Sequence, residues 1–280
     1  MNTGAFETLA ADLVSVDAIR DCLNESFSDY LIKFPTFDHT AWLLFLQRQG
    51  CDLALSRVGV RDDVVIAFSL VTRRSVDVWR IAVMGARPAA RGTGIAPRLL
   101  DETIASAARH DVRSVELEAF AQNERAVRLY RSRGMSPTCA LYGFDGVIGI
   151  VAALHDVREV SIEVGARWAI AMERETGQEL PWQVCGDAIL RLPGEPTCWR
   201  LDEAQLVFTE APGTVAVMSL LDRDPAYRNG ARLLTTLRAS FPESILRVSQ
   251  SQAENGPALA FRHAGWQQMD LYQWLIRRRL

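Results

Sequence analysis

Apolar residues recur along the chain with two periods, and the switches between them mark out the elements. Phe6 to Leu9 reads as a short opening strand. Val14 to Tyr30 places Ile19, Cys22, Leu23 and Phe27 at helical spacing, and Asp38 to Arg48 does the same with Trp42, Leu43, Phe45 and Leu46 before Gly50 stops it. Asp52 to Val60 and Val64 to Thr72 read as two strands joined through Arg61-Asp62-Asp63, a hairpin. Val76 to Ala86 is another strand. Ile95 to His110 is a helix with Leu99, Leu100, Ile104 and Ala107 on its apolar face and Pro97 in its first turn, where a missing N–H costs nothing. Ser114 to Phe120 is a strand, Asn123 to Arg133 a helix ended by Gly134, and Ser136 to Phe144 a strand. The order is β-α-α-β-β-β-α-β-α-β.

A glycine-rich junction, Gly143 to Gly149, comes next. Beyond it the pattern predicts a helix over Val157 to Glu173, a loop at Gly177 to Trp182, and strands at Ala188 to Leu192, Gln205 to Thr209 and Thr214 to Leu221. A helix at Ala231 to Ala239, a strand at Ile245 to Ser249, a helix at Pro257 to Ala264 and a strand at Leu271 to Ile276 close the chain. The run strand, helix, strand, helix-Gly, strand thus occurs twice. Gly134-Met135 matches Gly265-Trp266, and Leu99-Leu100 matches Leu233-Leu234, which reads as a diverged internal duplication. With 280 residues the chain suits two domains, 1–148 and 149–280, of the mixed α/β, α+β class.

Composition narrows the function. Hydrophobic residues make up 49%, enough for a core in each half, and the net charge of -3 with no basic cluster argues against a nucleic-acid partner. Five cysteines without a CxxC pair point to free thiols, and four scattered histidines (His39, His110, His155, His263) offer no metal site. The start of the chain has no basic region followed by an apolar core, and no apolar run is long enough to span a membrane, so a cytoplasmic protein is expected.

The chemistry sits in Arg91-Gly92-Thr93-Gly94-Ile95-Ala96, between a strand and a helix. A helix start leaves backbone N–H groups unpaired and carries positive potential, and glycine lets the backbone approach an oxyanion without a Cβ in the way. Together these make a pyrophosphate cradle that needs no lysine, and Arg91 and Arg87 can add charge-assisted contacts. The segment is not a P-loop, since no Gly-Lys-Ser/Thr follows. Nor is it the dinucleotide fingerprint, since Pro97 stands where the third glycine belongs.

A second motif, Asn123, Ala126, Leu129, Tyr130 and Gly134, follows the strand Ser114 to Phe120. With both motifs in place, residues 6–146 resemble the GNAT N-acetyltransferase superfamily, whose pattern R/Q-x-x-G-x-G/A is met by Arg91, Gly94 and Ala96. The resemblance implies tandem GNAT folds, each a mixed, mostly antiparallel sheet flanked by helices, with acetyl-CoA as the acyl donor. It implies that the strands Val76 to Ala86 and Ser114 to Phe120 splay, and that the pantetheine arm pairs with the backbone near Met84 and Ala86. Arg91, Gly92, Thr93, Gly94, Ile95 and Ala96 would hold the pyrophosphate, Asn123 would contact the cofactor, and Tyr130 would protonate the leaving thiolate. Glu118 and Glu116, on one face of their strand, are candidate general bases. Each keeps a structural alternative: Tyr130 as a core residue, Asn123 as an N-cap, Glu118 as a structural hydrogen-bond acceptor.

The second half is similar to the same superfamily but degenerate. It keeps Arg228 and Gly230 in a shortened cradle and has Phe261 where the first half has Tyr130. Leu180-Pro181-Trp182-Gln183 also resembles bacterial two-domain members. In the mycothiol synthase-like tandem pattern the C-terminal half is the active one, whereas here the better motifs are N-terminal. The expected activity is acetyl transfer to a primary amine of a small molecule or peptide; the alternative is a non-catalytic CoA-binding sensor or scaffold. Asp29, Tyr30, Phe34 and Phe37 are candidate acceptor-lining residues, and a homodimer stays open.

Overall fold

The computed structural model describes residues 5–146, 156–177 and 180–280. The expected junction at 148/149 lies outside them. In chain order the elements are β1 (Glu7–Ala10), α1 (Val16–Ser26), α2 (His39–Gln49), β2 (Cys51–Arg61), β3 (Val64–Arg73), β4 (Val78–Ala86), α3 (Ile95–Arg109), β5 (Ser114–Phe120), α4 (Glu124–Arg131) and β6 (Ser136–Asp145). After them come β7 (Arg158–Val160), α5 (Ile162–Thr176), α6 (Gly186–Ile189), β8 (Thr197–Leu201), β9 (Ala204–Ala211), β10 (Thr214–Asp222), α7 (Arg228–Ser240), β11 (Ile245–Ala253), α8 (Pro257–His263) and β12 (Gln267–Arg279). No helix among the described residues is long and apolar enough to cross a membrane.

The chain forms two compact units. The first holds residues 1–138 together with 276–280, and the second holds 139–275. The last strand, β12, therefore begins in the second unit and ends in the first.

In the first unit the strands run β1-β2-β3-β4-β5, with the end of β12 beside β5. Pairing is antiparallel from β1 to β4, while β4 and β5 run parallel. Helices cover both faces. Ile19 and Leu23 of α1 and Trp42 of α2 pack with Phe68 and Leu70 of β3, all fully buried, and Ile95 and Leu99 of α3 pack with Ile66 and Ala67. The caps follow the sequence. Ser15 and Asp38 accept the amides of Ala18 and Ala41, and Gly50 closes α2 in the left-handed region.

The second unit repeats the arrangement with β6-β11-β10-β9-β8-β7 and the first part of β12 beside β6; β10 and β11 are its parallel pair. Two sequence expectations fail here. Ala188 to Leu192, expected as a strand, instead holds the end of the short helix α6 and the turn after it, where Ile189 donates to the Cys185 carbonyl at 3.1 Å. Ala188 and Ile189 are buried with Ala166 and Ala169, and a short apolar run does not by itself separate buried helix from buried strand. The helix expected from Val157 instead begins at Ile162, because Ser161 caps it by accepting the Val164 amide, and Arg158–Val160 becomes β7. Strand β8 was not anticipated: its Thr197–Leu201 run, five residues behind Pro196, carries too short an alternation.

Gly59 on β2 marks where α3 lands on the sheet. A Cβ there would lie 2.7 Å from Ile95 Cγ1. Gly59→Ala is expected to lower unfolding stability by about 1–3 kcal/mol through overpacking under the start of α3, measured by denaturant titration. An unchanged midpoint would contradict this contact.

Candidate functional site

The site begins where two parallel strands part. β4 and β5 pair only through Val78↔Ser114, Trp79↔Val115 and Arg80↔Glu116, although both continue. One extra residue in β4, Ala82, falls where the register with β3 shifts between Leu70↔Val83 and Val71↔Ile81. A bulge bends and twists its strand, which turns the rest of β4 away from β5. Met84 and Ala86 lie on this diverging stretch and stay paired with β3 through Ser69 and Ala67.

The loop after β4 supplies donors. Gly92 and Gly94 sit at φ +80 and +88, and a Cβ at either would meet open space. Gly94 is the N-cap of α3 and gives no side-chain cap. Thr93 N–H turns back to the Ala90 carbonyl, and Arg91 N–H to that of Pro88. Among the described residues, no turn bond takes the amides of Gly92, Gly94, Ile95 or Ala96, and the start of a helix leaves its own first amides unpaired. Of the expected cradle residues, Arg91 and Thr93 thus spend their N–H groups within the loop, while no turn bond takes those of Gly92, Gly94, Ile95 and Ala96.

The two arginines expected at the cradle are each held by protein partners. Arg91 donates to Asp29 at 2.7 Å and to the Ser26 carbonyl at 2.9 Å, while Arg87 pairs with Glu25 and donates to the Val65 carbonyl at 2.8 Å. The Arg91 guanidinium beside it holds Asp29 below the ordinary carboxylate value. Both guanidiniums are thus tied to the end of α1 and the segment after it. The carboxylate partners were not legible in the sequence, because α1 and this loop are far apart along the chain.

On the other wall, Asn123 caps α4 by accepting the Ala126 amide at 3.2 Å. Tyr130 is 8% exposed. Burial, with a smaller effect from Tyr30, pushes the Tyr130 phenol above its ordinary value, so it holds its proton. Tyr30 packs edge-on against Phe27 with centroids 4.9 Å apart and lies 6.1 Å from Phe120. Burial raises its phenol as well, opposed by Asn123. Phe34 and Phe37, candidate lining residues, are half-buried against the α1–α2 core, with Phe34 stacked on Phe27 at 4.5 Å.

The two glutamates of β5 are both paired; Glu116 is buried, and the Glu118 side chain is 4% exposed. Glu118 receives Arg80 Nη2 at 2.7 Å and Nε at 2.9 Å, and Arg80 Nη1 also donates to Gln49 at 2.9 Å. Glu116 is fully buried, with Oε1 2.6 Å from Arg74 and Oε2 2.6 Å from Arg277. The part played by Arg277 had no sequence signal.

The second unit holds the same frame with different contents. β10, like β4, spans nine residues, shifts register at its fifth (Met218), and pairs in parallel only at its start. The residue ending β4 is Ala86; its counterpart ending β10 is Asp222. The Asp222 carboxylate, 2% exposed, accepts the Gly230 amide at 2.8 Å and the Asp224 amide at 2.9 Å, with the Asn229 amide also directed to it. An internal carboxylate thus takes amides at and before the start of this helix, where the first unit has Ala86 at the strand end. Phe261, the counterpart of Tyr130, is fully buried and stacked on Phe144 at 5.0 Å.

Residues 16–135 match the model of the acetyltransferase (GNAT) family. No curated protein matches. Among solved structures, a putative acetyltransferase from Pyrococcus horikoshii is similar at 12% identity and TM-score 0.67, over 99% of this chain and 89% of that one. A GCN5-related N-acetyltransferase from Sphaerobacter thermophilus is similar at 15% identity and TM-score 0.67, over 98% and 95%. A tandem GNAT protein from the clavulanic acid biosynthesis pathway is similar at 13% identity and TM-score 0.59, over 98% of each chain. These likenesses establish the fold.

The buried, protonated phenol carries a direct expectation. Tyr130→Phe leaves the phenolate absorbance gained between neutral pH and pH 11 unchanged, since Tyr130 does not ionise in that range. In the folded state its raised value means that it binds a proton that the unfolded chain releases above about pH 10, so its share of stability is full below that pH and falls as pH rises beyond it. A lost phenolate step in the variant would contradict the burial.

Proposed function

Taking residues 16–135 as a GNAT acetyltransferase domain, we propose that this chain transfers an acetyl group from acetyl-CoA to a primary amine of a small molecule or peptide, with the working site in the first unit. The observation that carries this reading is the open cradle at Gly92–Ala96 standing beside strands that part after Arg80↔Glu116.

The amides of Gly92, Gly94, Ile95 and Ala96 are suited to the pyrophosphate, since preorganised N–H donors and the helix dipole favour an anion there. Arg91, Thr93 and Arg87 border it. Ion pairs to Asp29 and Glu25 set the two guanidiniums at the cradle's edge and link it to the segment after α1. The edge of β4 that leaves β5 near Met84 and Ala86 is suited to extend the sheet toward an amide-bearing arm, with Arg91 Nε 3.4 Å from the Ala86 carbonyl beside it. Asn123 stands on the opposite wall at the start of α4.

In the reaction the acceptor nitrogen bonds to the thioester carbonyl carbon and the carbon–sulfur bond breaks. The departing sulfur takes a proton, and the nitrogen gives one up. Tyr130, held neutral by burial, is the donor to sulfur. Glu118 is the candidate acceptor of the amine proton. Its bonds to Arg80 fix its orientation, and a carboxylate has lone pairs beyond those the guanidinium uses, enough to hold a water. The second unit takes no part in the chemistry. Asp222 supplies its cradle with a negative charge, and Phe261 has no proton to give.

Calorimetric titration with acetyl-CoA is expected to give one equivalent per chain, and Gly94→Arg, which sets a side chain in the cradle, is expected to abolish the heat. Two equivalents would overturn the assignment of the second unit, and none would move the protein to a scaffold role. Once an amine acceptor is found by screening, Tyr130→Phe is expected to lower kcat by about 10²-fold with acetyl-CoA affinity unchanged, as for a positioned proton donor. Equal turnover by the variant would remove Tyr130 from the mechanism.

A further inference from the structure

The first unit is incomplete without the last residues of the chain. Residues 276–280 belong to it, beside β5. The Leu280 amide donates to the Arg113 carbonyl at 2.9 Å, and Arg277 reaches Glu116 at 2.6 Å. Position 280 faces 113 and position 277 faces 116, so the tail runs antiparallel to β5. It occupies the edge that β6 does not, because β6 pairs with β11 inside the second unit through Phe144↔Val248 and Leu141↔Ala253.

Two side chains of this tail reach the two walls of the candidate site. Glu116 stands at the last rung before the strands part, with no exposure. A buried carboxylate is tolerated only when its oxygens are paired, and here Arg74 takes one and Arg277 the other. The neighbouring Arg278 donates from Nη1 to the Arg133 carbonyl at 2.6 Å and packs beside Gly134. Arg133 itself follows α4, and its amide and that of Met135 both return to the Tyr130 carbonyl. A cation at a helix end opposes the negative pole there. The tail therefore braces β5 through Glu116 and the end of α4, which carries Tyr130, through Arg133.

We propose that Arg277 is a positioning residue of the acetyl-transfer site, and that one function of the C-terminal half is to deliver the strand bearing it. The proposal rests on the reading of the first unit as the acetyl-CoA site. It accounts for a second half that keeps the fold while filling its own cradle with Asp222: the half is retained for the strand it sends back.

The test uses the full chain with Arg277→Met, Arg277→Lys and a stop after Leu275, each measured two ways. Calorimetry with acetyl-CoA, run well below the unfolding temperature, separates affinity from active fraction. Arg277→Met is expected to weaken binding by about tenfold at unchanged stoichiometry, a part of the penalty for leaving a buried charge half-paired. Arg277→Lys, which restores a cation without the planar fork, is expected to recover part of that loss. Hydrogen exchange without ligand is expected to show faster exchange of the Ser114–Phe120 amides in the truncated chain. Unchanged affinity with a reduced binding fraction would make the tail a stability element only and overturn the positioning role. If the parent chain binds no acetyl-CoA, the functional reading fails by itself, and the exchange result still decides whether the tail braces β5: unchanged exchange would overturn the strand delivery too.

Discussion

Three rungs of parallel pairing between β4 and β5, and their abrupt end, are the constraint on which the first unit depends. Parallel neighbours ordinarily continue as far as both strands last. Here the bulge at Ala82 turns one strand away, and the last rung, Arg80↔Glu116, is held by buried ion pairs instead of a longer ladder. Arg80 bridges to Glu118 on the other strand, and Glu116 is shared by Arg74 and Arg277. Buried pairs of this kind are poor sources of net stability, but breaking one is costly, which makes them good at fixing a geometry. What they fix is the point at which β4 and β5 part, with the start of α3 following the end of β4.

The two units place the same frame in opposite states. In the first, the strand ends in Ala86, the loop carries Gly92 and Gly94, and among the described residues no turn bond takes the amides of Gly94, Ile95 or Ala96. In the second, the strand ends in Asp222, whose carboxylate takes the amides of Asp224 and Gly230. The carboxylate is raised above its ordinary value by burial, against the pull of those donors, so the loop is closed at some electrostatic cost. The residue at the strand end, Ala86 in the first unit and Asp222 in the second, thus sets the two loops apart.

Much of this was legible in the chain itself. The glycine pair before a helix and the Asn123 to Gly134 motif carried the family resemblance, and the caps Ser15, Asp38 and Asn123 formed as their side chains dictate. These are local features, and local physics decides them. What failed was short or distant. Ala188–Leu192 is an apolar run too brief to show its period, and β8 follows Pro193 and Pro196 in a segment with little alternation. Asp29 and Glu25 as partners of Arg91 and Arg87 required the third dimension. So did Arg277: an arginine three residues from the end of the sequence reads as a solvated charge until the tail is seen against β5.

The most direct test of one working site in this tandem chain is a hydrogen-exchange footprint with and without saturating acetyl-CoA. The account expects slower exchange in the amides of residues 84–96 and 114–130, and none in residues 218–234, where Asp222 already holds the donors. Protection of residues 218–234, or of neither segment, would contradict it.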